Sequence, residues 1–349
     1  MGGDIEKSKI MLCNDDAVVE IDECGAAITG FYLKEDGINP LSFELPLTQM
    51  SPTDGMVKSF KGHFLCLGRW GPPSTGELAS GAVKHGDFAT RRWQTSVGIC
   101  ESALDMSATS SVEGLRVKRR MVLDRQEPVL FVRESVTNIN PLGRFYNMVQ
   151  HPTIAAPFLN DSTRVFCNAS RGFCQGERPA KARSYTEWPL GMSDNGNSVD
   201  LSMSNHPDNN VYSFVLGKQS KFGWIVAYSP AARLAIGYIW LRSDYPWVNF
   251  WQDWSNGKMR YRGLEFGTTG VHEPLHRIIE MGRSTILGEK TIRYLDAGEQ
   301  VDTCYTSFLL RTERELEYVS DVAVSDKEIY VKTDREVYKI GVADKGNLF

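Results

Sequence analysis

Apolar and polar residues alternate with a period of two along most of this chain. Residues 18–22 read Val-Val-Glu-Ile-Asp, and between Leu115 and Leu123 the alternate positions are mostly apolar. Successive side chains of a β-strand point to opposite faces, so this period is typical of strands. The segments 115–123 and 129–137, joined by turn residues at 124–128, therefore predict an antiparallel hairpin.

No long segment with a period of 3.6 residues competes with this alternation, and Gly and Pro separate the short apolar runs. The pattern predicts an all-β protein built as a large antiparallel two-sheet β-sandwich, with fewer than about one residue in six in helices. Residues 222–240 are apolar enough to suggest a membrane-spanning helix. However, Ser229-Pro230 and Arg233 divide them into two strands joined by a turn.

The character of the chain changes after residue 312, because residues 313–317 are mostly charged. Short strands are expected to follow near 319–324, 328–332 and 336–342. We therefore predict a main β-sandwich domain over residues 1–312 and a C-terminal β appendage over residues 313–349 that packs on it.

The composition and net charge of the chain indicate which classes of partner to expect. The chain has 349 residues, of which 42% are hydrophobic and 23% charged, and its formal net charge is −4. These values are ordinary for a globular protein, and a mildly negative chain has no electrostatic attraction to nucleic acid or anionic lipid. We predict no nucleic-acid partner and no membrane partner, and either a monomer or a homodimer.

The number and spacing of the cysteines indicate whether the protein works in a reducing or an oxidising compartment. They are odd in number, scattered and without metal-ligand spacing: Cys13, Cys24, Cys66, Cys100, Cys167, Cys174 and Cys304. A reducing compartment fits this distribution best. The first residues show no positive patch and no apolar core, so we see no signal peptide and predict a cytoplasmic location.

The aromatic residues of one segment suggest a ligand class. Between residues 245 and 261 lie Tyr245, Trp247, Phe250, Trp251, Trp254 and Tyr261. Aromatic faces pack against the C–H face of a sugar ring, and interspersed polar residues can bind hydroxyl groups. We predict a carbohydrate ligand, a monosaccharide or a derivative, with Trp251 and Trp254 as candidate contacts. The alternative is that these aromatic side chains belong to the sheet core.

A single carboxylate, Glu265, follows the aromatic residues within a strand-like segment. Between Leu264 and Phe266 its carboxyl group should be partly buried, which raises its pKa toward the range useful for proton transfer. Arg262 is a nearby cation that could lower this pKa instead. An ordinary exposed strand residue is the alternative interpretation of Glu265.

His151 is the second candidate for proton transfer. It lies at the end of a strand-like segment, after Gln150 and before Pro152. Histidine can donate or accept a proton near neutral pH, and the proline restricts the backbone beside it. We take His151 as a candidate catalytic residue and Gln150 as a candidate substrate contact; a hydrogen-bonded structural histidine is the alternative.

A third segment combines one histidine, two arginines and an indole within nine residues. His85, Arg91, Arg92 and Trp93 could together bind a polyhydroxylated or anionic ligand. The alternative is that strand alternation sends one arginine to solvent and Trp93 into the core.

These segments resemble the aldose 1-epimerase superfamily, which is also called galactose mutarotase-like and includes hexose-6-phosphate epimerases. Thr137-Asn138, followed by Asn147 and His151, is similar to the segment that carries the family's general acid. Gly263-Leu264-Glu265 is similar to the segment that carries its base. His85-Gly86, with Trp93 eight positions after the histidine, resembles a motif of the phosphate-sugar branch.

The sequence departs from the family at two places. Asp87 interrupts the motif that begins at His85, which weakens the case for a phosphorylated sugar. The family carboxylate that binds sugar hydroxyls between acid and base has no clear counterpart, and Asp208 is the candidate.

The resemblance implies the galactose mutarotase-like sandwich and a sugar 1-epimerase that interconverts the anomers of an aldose. One acid, His151, and one base, Glu265, would open and close the ring, with tips about 5 to 8 Å apart. We therefore expect neither a cofactor nor a metal ion. A non-catalytic carbohydrate-binding protein on the same fold is the main alternative. A polysaccharide lyase or hydrolase that uses Asp253 as a further carboxylate is a third.

Overall fold

In a computed structural model of the protein, the structure describes residues 9–49, 58–96, 102–175, 185–193, 195–325 and 327–343. Strands make up about half of the described residues and helices about 5%, which confirms the all-β prediction and the predicted limit on helix. Of the seven cysteines, Cys100 lies outside the described residues.

Nearly all the regular structure is extended. In chain order the strands are β1 Lys9–Cys13, β2 Ala17–Asp22, β3 Ala27–Leu33, β4 His63–Gly68, β5 Gln94–Thr95, β6 Ala103–Ser110, β7 Leu115–Leu123, β8 Val129–Asn138, β9 Arg144–Ala155, β10 Arg164–Cys167, β11 Ala169–Cys174, β12 Thr186–Glu187, β13 Leu190–Met192, β14 Ser198–Asp200, β15 Val211–Leu216, β16 Phe222–Ser229, β17 Leu234–Leu241, β18 Trp247–Ser255, β19 Lys258–Gly263, β20 Glu265–Gly267, β21 Thr285–Ile286, β22 Glu289–Lys290, β23 Arg293–Leu295, β24 Gln300–Arg311, β25 Val319–Val324, β26 Glu328–Thr333 and β27 Val337–Gly341. The described helices are α1 Thr75–Ala79, α2 Leu275–Glu280 and two 3-10 turns, Leu47–Gln49 and Asp87–Ala89.

Two large sheets form the body of the protein. The first has twelve strands, ordered β1-β2-β3-β4-β9-β19-β18-β15-β11-β12, with β20 beside β18 and β9, and β23 beside β9. The second has eight strands, ordered β10-β16-β17-β24-β8-β7-β6-β5. One hydrophobic cluster joins them, since it contains Leu65 and Met148 of the first sheet and Val117 and Ile236 of the second. The predicted two-sheet sandwich is therefore confirmed.

The two hairpins predicted from the sequence are present. β7 and β8 pair antiparallel from Leu115 opposite Asn138 to Leu123 opposite Leu130. β16 and β17 also pair antiparallel, so the apolar segment at 222–240 is two strands and not a helix. Within the described part of the chain, no helix is long and apolar enough to cross a membrane.

Arg119 occupies an inward position of β7 that the alternation would otherwise give to an apolar residue. Its Nε donates to Oε1 of Glu134 at 2.7 Å, and its Nη1 donates to the Ala26 carbonyl at 2.8 Å. The side chains of Arg119 and Glu134 are both buried. Each neutralises the charge of the other, and either charge alone inside the sandwich would be destabilising.

The end of the chain forms a separate three-stranded sheet, β25-β26-β27. Its apolar side chains, among them Val322 and Ile329, share a hydrophobic cluster with Trp224 of β16 and Phe308 of β24. This sheet therefore covers the outer face of the eight-stranded sheet. The division into domains at residue 312 stays a prediction.

Candidate active site

A cavity of about 350 Å³ opens on the outer face of the twelve-stranded sheet. Its lining combines aromatic, histidine and charged side chains, which are Phe43, Leu45, Phe60, Phe64, Trp70, Lys84, His85, His151, Asn209, Val211, Trp251, Gln252, Asp253, Arg260, Glu265 and His272. Small-molecule sites commonly enclose about 300–1,000 Å³, so this cavity is large enough for a small sugar.

Strand pairing brings His151 and Glu265 together. His151 lies on β9 and Glu265 begins β20, and these strands are paired with Phe266 opposite Gln150. The Nε2 atom of His151 is 3.1 Å from Oε1 of Glu265. The predicted separation of about 5 to 8 Å was therefore wrong, because the two side chains are in direct hydrogen-bonding contact.

Neighbouring groups fix the orientation of the His151 ring. Its Nδ1 atom is hydrogen-bonded to Thr153 Oγ1 at 3.0 Å. Phe64, the β4 residue paired with His151, stacks on the ring at a centroid distance of 4.3 Å. With Nδ1 engaged and one ring face covered, Nε2 is the atom that faces Glu265.

Glu265 is almost completely enclosed, with 1% of its surface exposed. Burial raises the pKa of Glu265 well above its ordinary value of 4.5, and smaller effects of the Trp70 indole and the Lys84 ammonium group oppose this. The Oε2 atom has no hydrogen-bond partner among the described residues, so a ligand hydroxyl group could donate to it.

Burial acts on His151 in the opposite direction. It lowers the pKa of His151 to about 3, and the nearby charge of Lys84 adds to this effect. The pair therefore holds a single proton over a wide pH range, and burial favours the neutral arrangement with that proton on Glu265. The acid and base roles that the resemblance implies need a protonated histidine and an ionised glutamate, and burial favours the reverse distribution.

Arg262 does not act on Glu265 as the sequence suggested. Its side chain points into the sandwich, where Nη1 donates to the Met203 carbonyl and to Ser204 Oγ, each at 2.8 Å. Burial lowers its pKa to about 10. The cation that acts on Glu265 is Lys84, which strand alternation alone could not identify.

Two further histidines and Trp70 form one end of the cavity. The His85 ring lies 5.6 Å from that of His151 and 5.5 Å from that of His272. His272 in turn meets Trp70 edge to face at 5.1 Å. Burial lowers the pKa of both His85 and His272, so this end presents neutral imidazoles that can exchange hydrogen bonds with hydroxyl groups.

A tight turn delivers His85 to the cavity. Its backbone has a φ of 65°, a left-handed conformation that is uncommon for residues other than glycine. Gly86 follows with a φ of 75°, and a Cβ atom there would lie 2.0 Å from the Leu67 carbonyl oxygen. Close packing on β4 therefore requires a glycine at position 86.

Trp251 forms the opposite wall, with its ring 6.2 Å from His151. Beside it, the Asp253 carboxylate accepts from Arg260 Nη2 at 2.6 Å. Asp208 is set behind this wall, where it accepts from Nε2 of the lining residue Gln252 at 2.7 Å. Asp208, the candidate for the family carboxylate that binds sugar hydroxyls, therefore orients Gln252 and does not itself line the cavity.

The remaining candidates of the third segment do not line the cavity. Arg91 pairs with Asp87 at 3.0 Å, and Arg92 extends to solvent and pairs with Glu23 at 2.5 Å. Trp93 is buried in the core between the sheets, where its Nε1 donates to the Phe88 carbonyl. The structure places none of these three side chains at the cavity, because the chain turns sharply after His85.

Gln150 and Trp254 are also displaced from the cavity. Gln150 alternates with His151 along β9, so it points into the sandwich and donates to Glu134 Oε2 at 2.6 Å. Trp254 is partly buried and packs against the main core. Of the two predicted tryptophan contacts, only Trp251 lines the cavity.

The segment that carries Trp70, Lys84 and His85 is held by a short capped helix, α1. Ser74 Oγ accepts from the Glu77 backbone N–H at 3.2 Å, and Glu77 Oε2 accepts from the Ser74 N–H at 2.7 Å. Glu77 also pairs with the buried Arg69 at 3.0 Å. This capping box and ion pair anchor one end of the cavity.

We expect Ser74→Ala to lower the free energy of unfolding by about 1 kcal/mol, because one helical N–H loses its partner. Ser80→Ala, at the other end of α1, is the matched control and should cost less than about 0.5 kcal/mol. Urea unfolding followed by tryptophan fluorescence measures both values. Equal effects would show that the capping box does not stabilise this segment.

Known structures share this architecture. The galactose mutarotase related enzyme of Lactobacillus acidophilus superposes with a TM-score of 0.61, covering 89% of this chain and 100% of its own, at 11% identity. The chain has the galactose mutarotase-like fold. A galactose mutarotase-like protein from Lactobacillus casei gives 0.59, with 87% and 100% covered and 16% identity. An aldose epimerase homologue from C. elegans gives 0.56, with 88% and 99% covered and 9% identity.

At these identities the similarity establishes the galactose mutarotase-like fold, and activity has to be argued from the cavity. No protein-family model matches the sequence, and no curated protein matches it significantly. Across the described ranges, no group of three or more His, Cys, Asp or Glu side chains is arranged to hold a metal ion.

Proposed function

We propose that this protein is a sugar 1-epimerase that interconverts the anomers of an aldose or aldose derivative by acid and base catalysis. The observation that carries the proposal is the 3.1 Å contact between His151 Nε2 and Glu265 Oε1 within the aromatic cavity. A contact of this kind supplies one group that takes a proton and one that gives it.

The reaction needs two coupled proton transfers. The base removes the proton of the C1 hydroxyl while the acid protonates the ring oxygen, so that the C1–O bond to the ring oxygen breaks. The open chain then turns about C1–C2, and both proton transfers run in reverse to close the ring on the other face. The two oxygens are bonded to the same carbon, so adjacent acid and base tips can reach both.

His151 is the proposed acid and Glu265 the proposed base. Moving the shared proton from Glu265 to His151 gives an ionised glutamate and a protonated histidine. The total charge of the pair does not change. Ring opening then leaves Glu265 protonated and His151 neutral, which is the distribution that burial favours. Each group can contribute roughly two to four decades of rate.

The cavity walls would hold the rest of the sugar. Trp251 offers a ring face for C–H groups, whereas His85, Gln252 and Asp253 offer partners for hydroxyl groups. Because neither Arg91 nor Arg92 lines the cavity, they provide no phosphate contact, and we propose a free aldose as the substrate of first choice.

The pH dependence of kcat/KM follows from the two pKa shifts. The pair is active while it holds one proton, so activity should be lost on the acid side only as pH falls toward about 3, where His151 takes a second proton. On the alkaline side it should decline as pH rises through the raised pKa of Glu265. A profile from pH 4 to 9, corrected for buffer catalysis, that falls on the acid side near 6.5 would contradict this assignment.

A non-catalytic carbohydrate-binding protein is the second candidate function, because the same aromatic lining would serve binding alone. Polarimetry of freshly dissolved α-anomers, over a panel of free and phosphorylated aldoses, separates the two. An epimerase should accelerate equilibration of at least one free aldose in proportion to protein concentration. Binding of several sugars without any acceleration would favour the binding protein.

A further inference from the structure

Four large apolar side chains are exposed together where β8 leads into β9. They are Ile139, Leu142, Phe145 and Tyr294, with 41%, 75%, 47% and 52% of their surfaces exposed. Large apolar side chains that are exposed singly are normal on a protein surface, whereas a contiguous group commonly marks a binding surface. We call these four residues the β8–β9 patch. None of them lines the cavity of the candidate active site.

Hydrogen bonds and ring packing hold the patch in one shape. Phe145 and Tyr294 lie opposite each other on β9 and β23, with ring centres 5.4 Å apart. Asn138 Nδ2 donates to the Leu142 carbonyl at 2.9 Å and to the Leu295 carbonyl at 3.1 Å, so the loop between β8 and β9 closes against β23. A preformed surface of this kind loses little conformational entropy when a partner covers it.

The size of the patch suits the apolar centre of a protein–protein interface. With about 200 Å² for each fully exposed side chain, the four residues present roughly 400 Å², a patch size that is often functional. A stable interface buries about 800 Å² on each partner and has an apolar centre and a polar rim. Polar side chains around the patch would therefore have to supply the other half.

The rim of the patch carries opposite charges on its two sides. β7 and β24 flank β8 in the sheet. Arg116 and Lys118 are exposed on β7, and Arg116 is paired with Thr137 near the end of β8. Asp296 and Glu299 are exposed in the turn that leads into β24. None of these four charged side chains forms an ion pair with a described residue. The strands that carry them lie about 10 Å apart, with β8 between them.

This arrangement of charges is complementary to itself. In a two-fold interface the same surface meets itself, so that a group on one side of the axis faces a group from the other side. With the axis at the patch, the cations of β7 in one chain face the anions of the 296–299 turn in the other, and this contact forms twice. A partner that carries charges of one sign would leave one side of the rim unmatched, so a second copy of this chain fits the surface better.

We propose that the β8–β9 patch is the interface of a homodimer, in which a second copy of this chain binds with two-fold symmetry. The four apolar side chains form the centre of the interface, and the charged side chains of β7 and of the 296–299 turn form its rim. Phe145 and His151 are six residues apart on β9, about 20 Å along an extended strand, so the second copy does not need to cover the candidate active site. The inference does not depend on the proposed epimerase function.

Sedimentation velocity of the full chain, from about 1 to 100 μM, measures the association. For the parent we expect one monomer–dimer equilibrium with a dissociation constant in the micromolar range or below. Leu142→Asp places a carboxylate at the apolar centre and should weaken the association at least about thirtyfold. Leu190→Asp changes an exposed leucine outside the patch in the same way, and as the matched control it should keep the parent dissociation constant.

Charge reversal tests the two-fold symmetry. Arg116→Glu and Asp296→Lys should each weaken self-association at least about tenfold, because like charges then meet twice in every dimer. A mixture of equal amounts of these two variants should form a mixed dimer with close to the parent affinity, since both of its rim contacts again join opposite charges. Arg125→Glu, which changes an exposed arginine outside the patch, should have no effect.

Three results would overturn the proposal. The first is a parent chain that stays monomeric up to about 100 μM, which would leave a different protein as the occupant of the patch. The second is equal weakening by Leu142→Asp and Leu190→Asp, and the third is a mixture of the two charge variants that fails to associate. Far-UV circular dichroism checks that each variant is folded. Because the loop, β7 and the turn each carry one substitution, misfolding of one variant leaves the others as tests.

Discussion

Glu265→Gln should lower the kcat for anomer interconversion at least about a hundredfold and leave KM close to the parent value. Glutamine keeps the size and hydrogen-bonding reach of the side chain but cannot take up the proton of the C1 hydroxyl group. The ground-state contacts with the sugar are retained, so the lower kcat reflects weaker stabilisation of the transition state. Polarimetry under initial-rate conditions, on the best aldose found, measures both constants.

Stability provides the control for this variant. Burial raises the pKa of Glu265 above its unfolded value, so its contribution to stability is fully present below about pH 4.5 and is lost as pH rises toward the folded pKa. Glutamine does not titrate, and the variant should be at least as stable as the parent at pH 7. Glu187→Gln, an exposed glutamate outside the cavity, should change neither rate nor stability. A kcat close to the parent value in Glu265→Gln would show that Glu265 is not the base.

His151→Asn should also lower kcat at least about a hundredfold, because the ring oxygen loses its proton donor. The double variant with Glu265→Gln should lose far less than the product of the two single losses. Acid and base hold one proton between them and act in one cycle, so removing either already disables the other. Multiplicative losses would show that the two side chains act independently.

The all-β fold could be predicted because it depends on a local pattern. The alternation in residues 115–123 and the turn at 124–128 specify a hairpin whatever surrounds them. The exception, Arg119, could not be explained from the sequence, because its partner Glu134 becomes a neighbour only through strand pairing. Alternation identified the strand but gave no reason for a buried arginine within it.

His151 and Glu265 were identified from their chemistry and from the family resemblance, but their separation depends on the register of β9 and β20. The sequence therefore suggested the pair and missed its direct contact. Register also sends Gln150 to the opposite face of β9 from His151. A strand whose two faces both carry polar residues gives no sequence signal for which face lines a cavity.

The segment around His85 was the least predictable part of the site. Its path depends on the left-handed backbone of His85 and Gly86, which packs closely on β4. This turn brings Lys84 to the cavity and leaves Arg91 and Arg92 outside it. Trp70 and His272 reach the same cavity from loops, where no periodic pattern marks the direction of a side chain.

The central claim is that the His151–Glu265 pair moves protons on a bound sugar. Exchange NMR between the C1 signals of the two anomers tests it directly, in one sample at equilibrium, with parent and Glu265→Gln at matched saturation. We predict an exchange rate in the parent well above that of buffer and proportional to bound sugar, reduced at least about a hundredfold in the variant. Exchange at the buffer rate in a parent sample that is saturated with its best-binding aldose would contradict the claim.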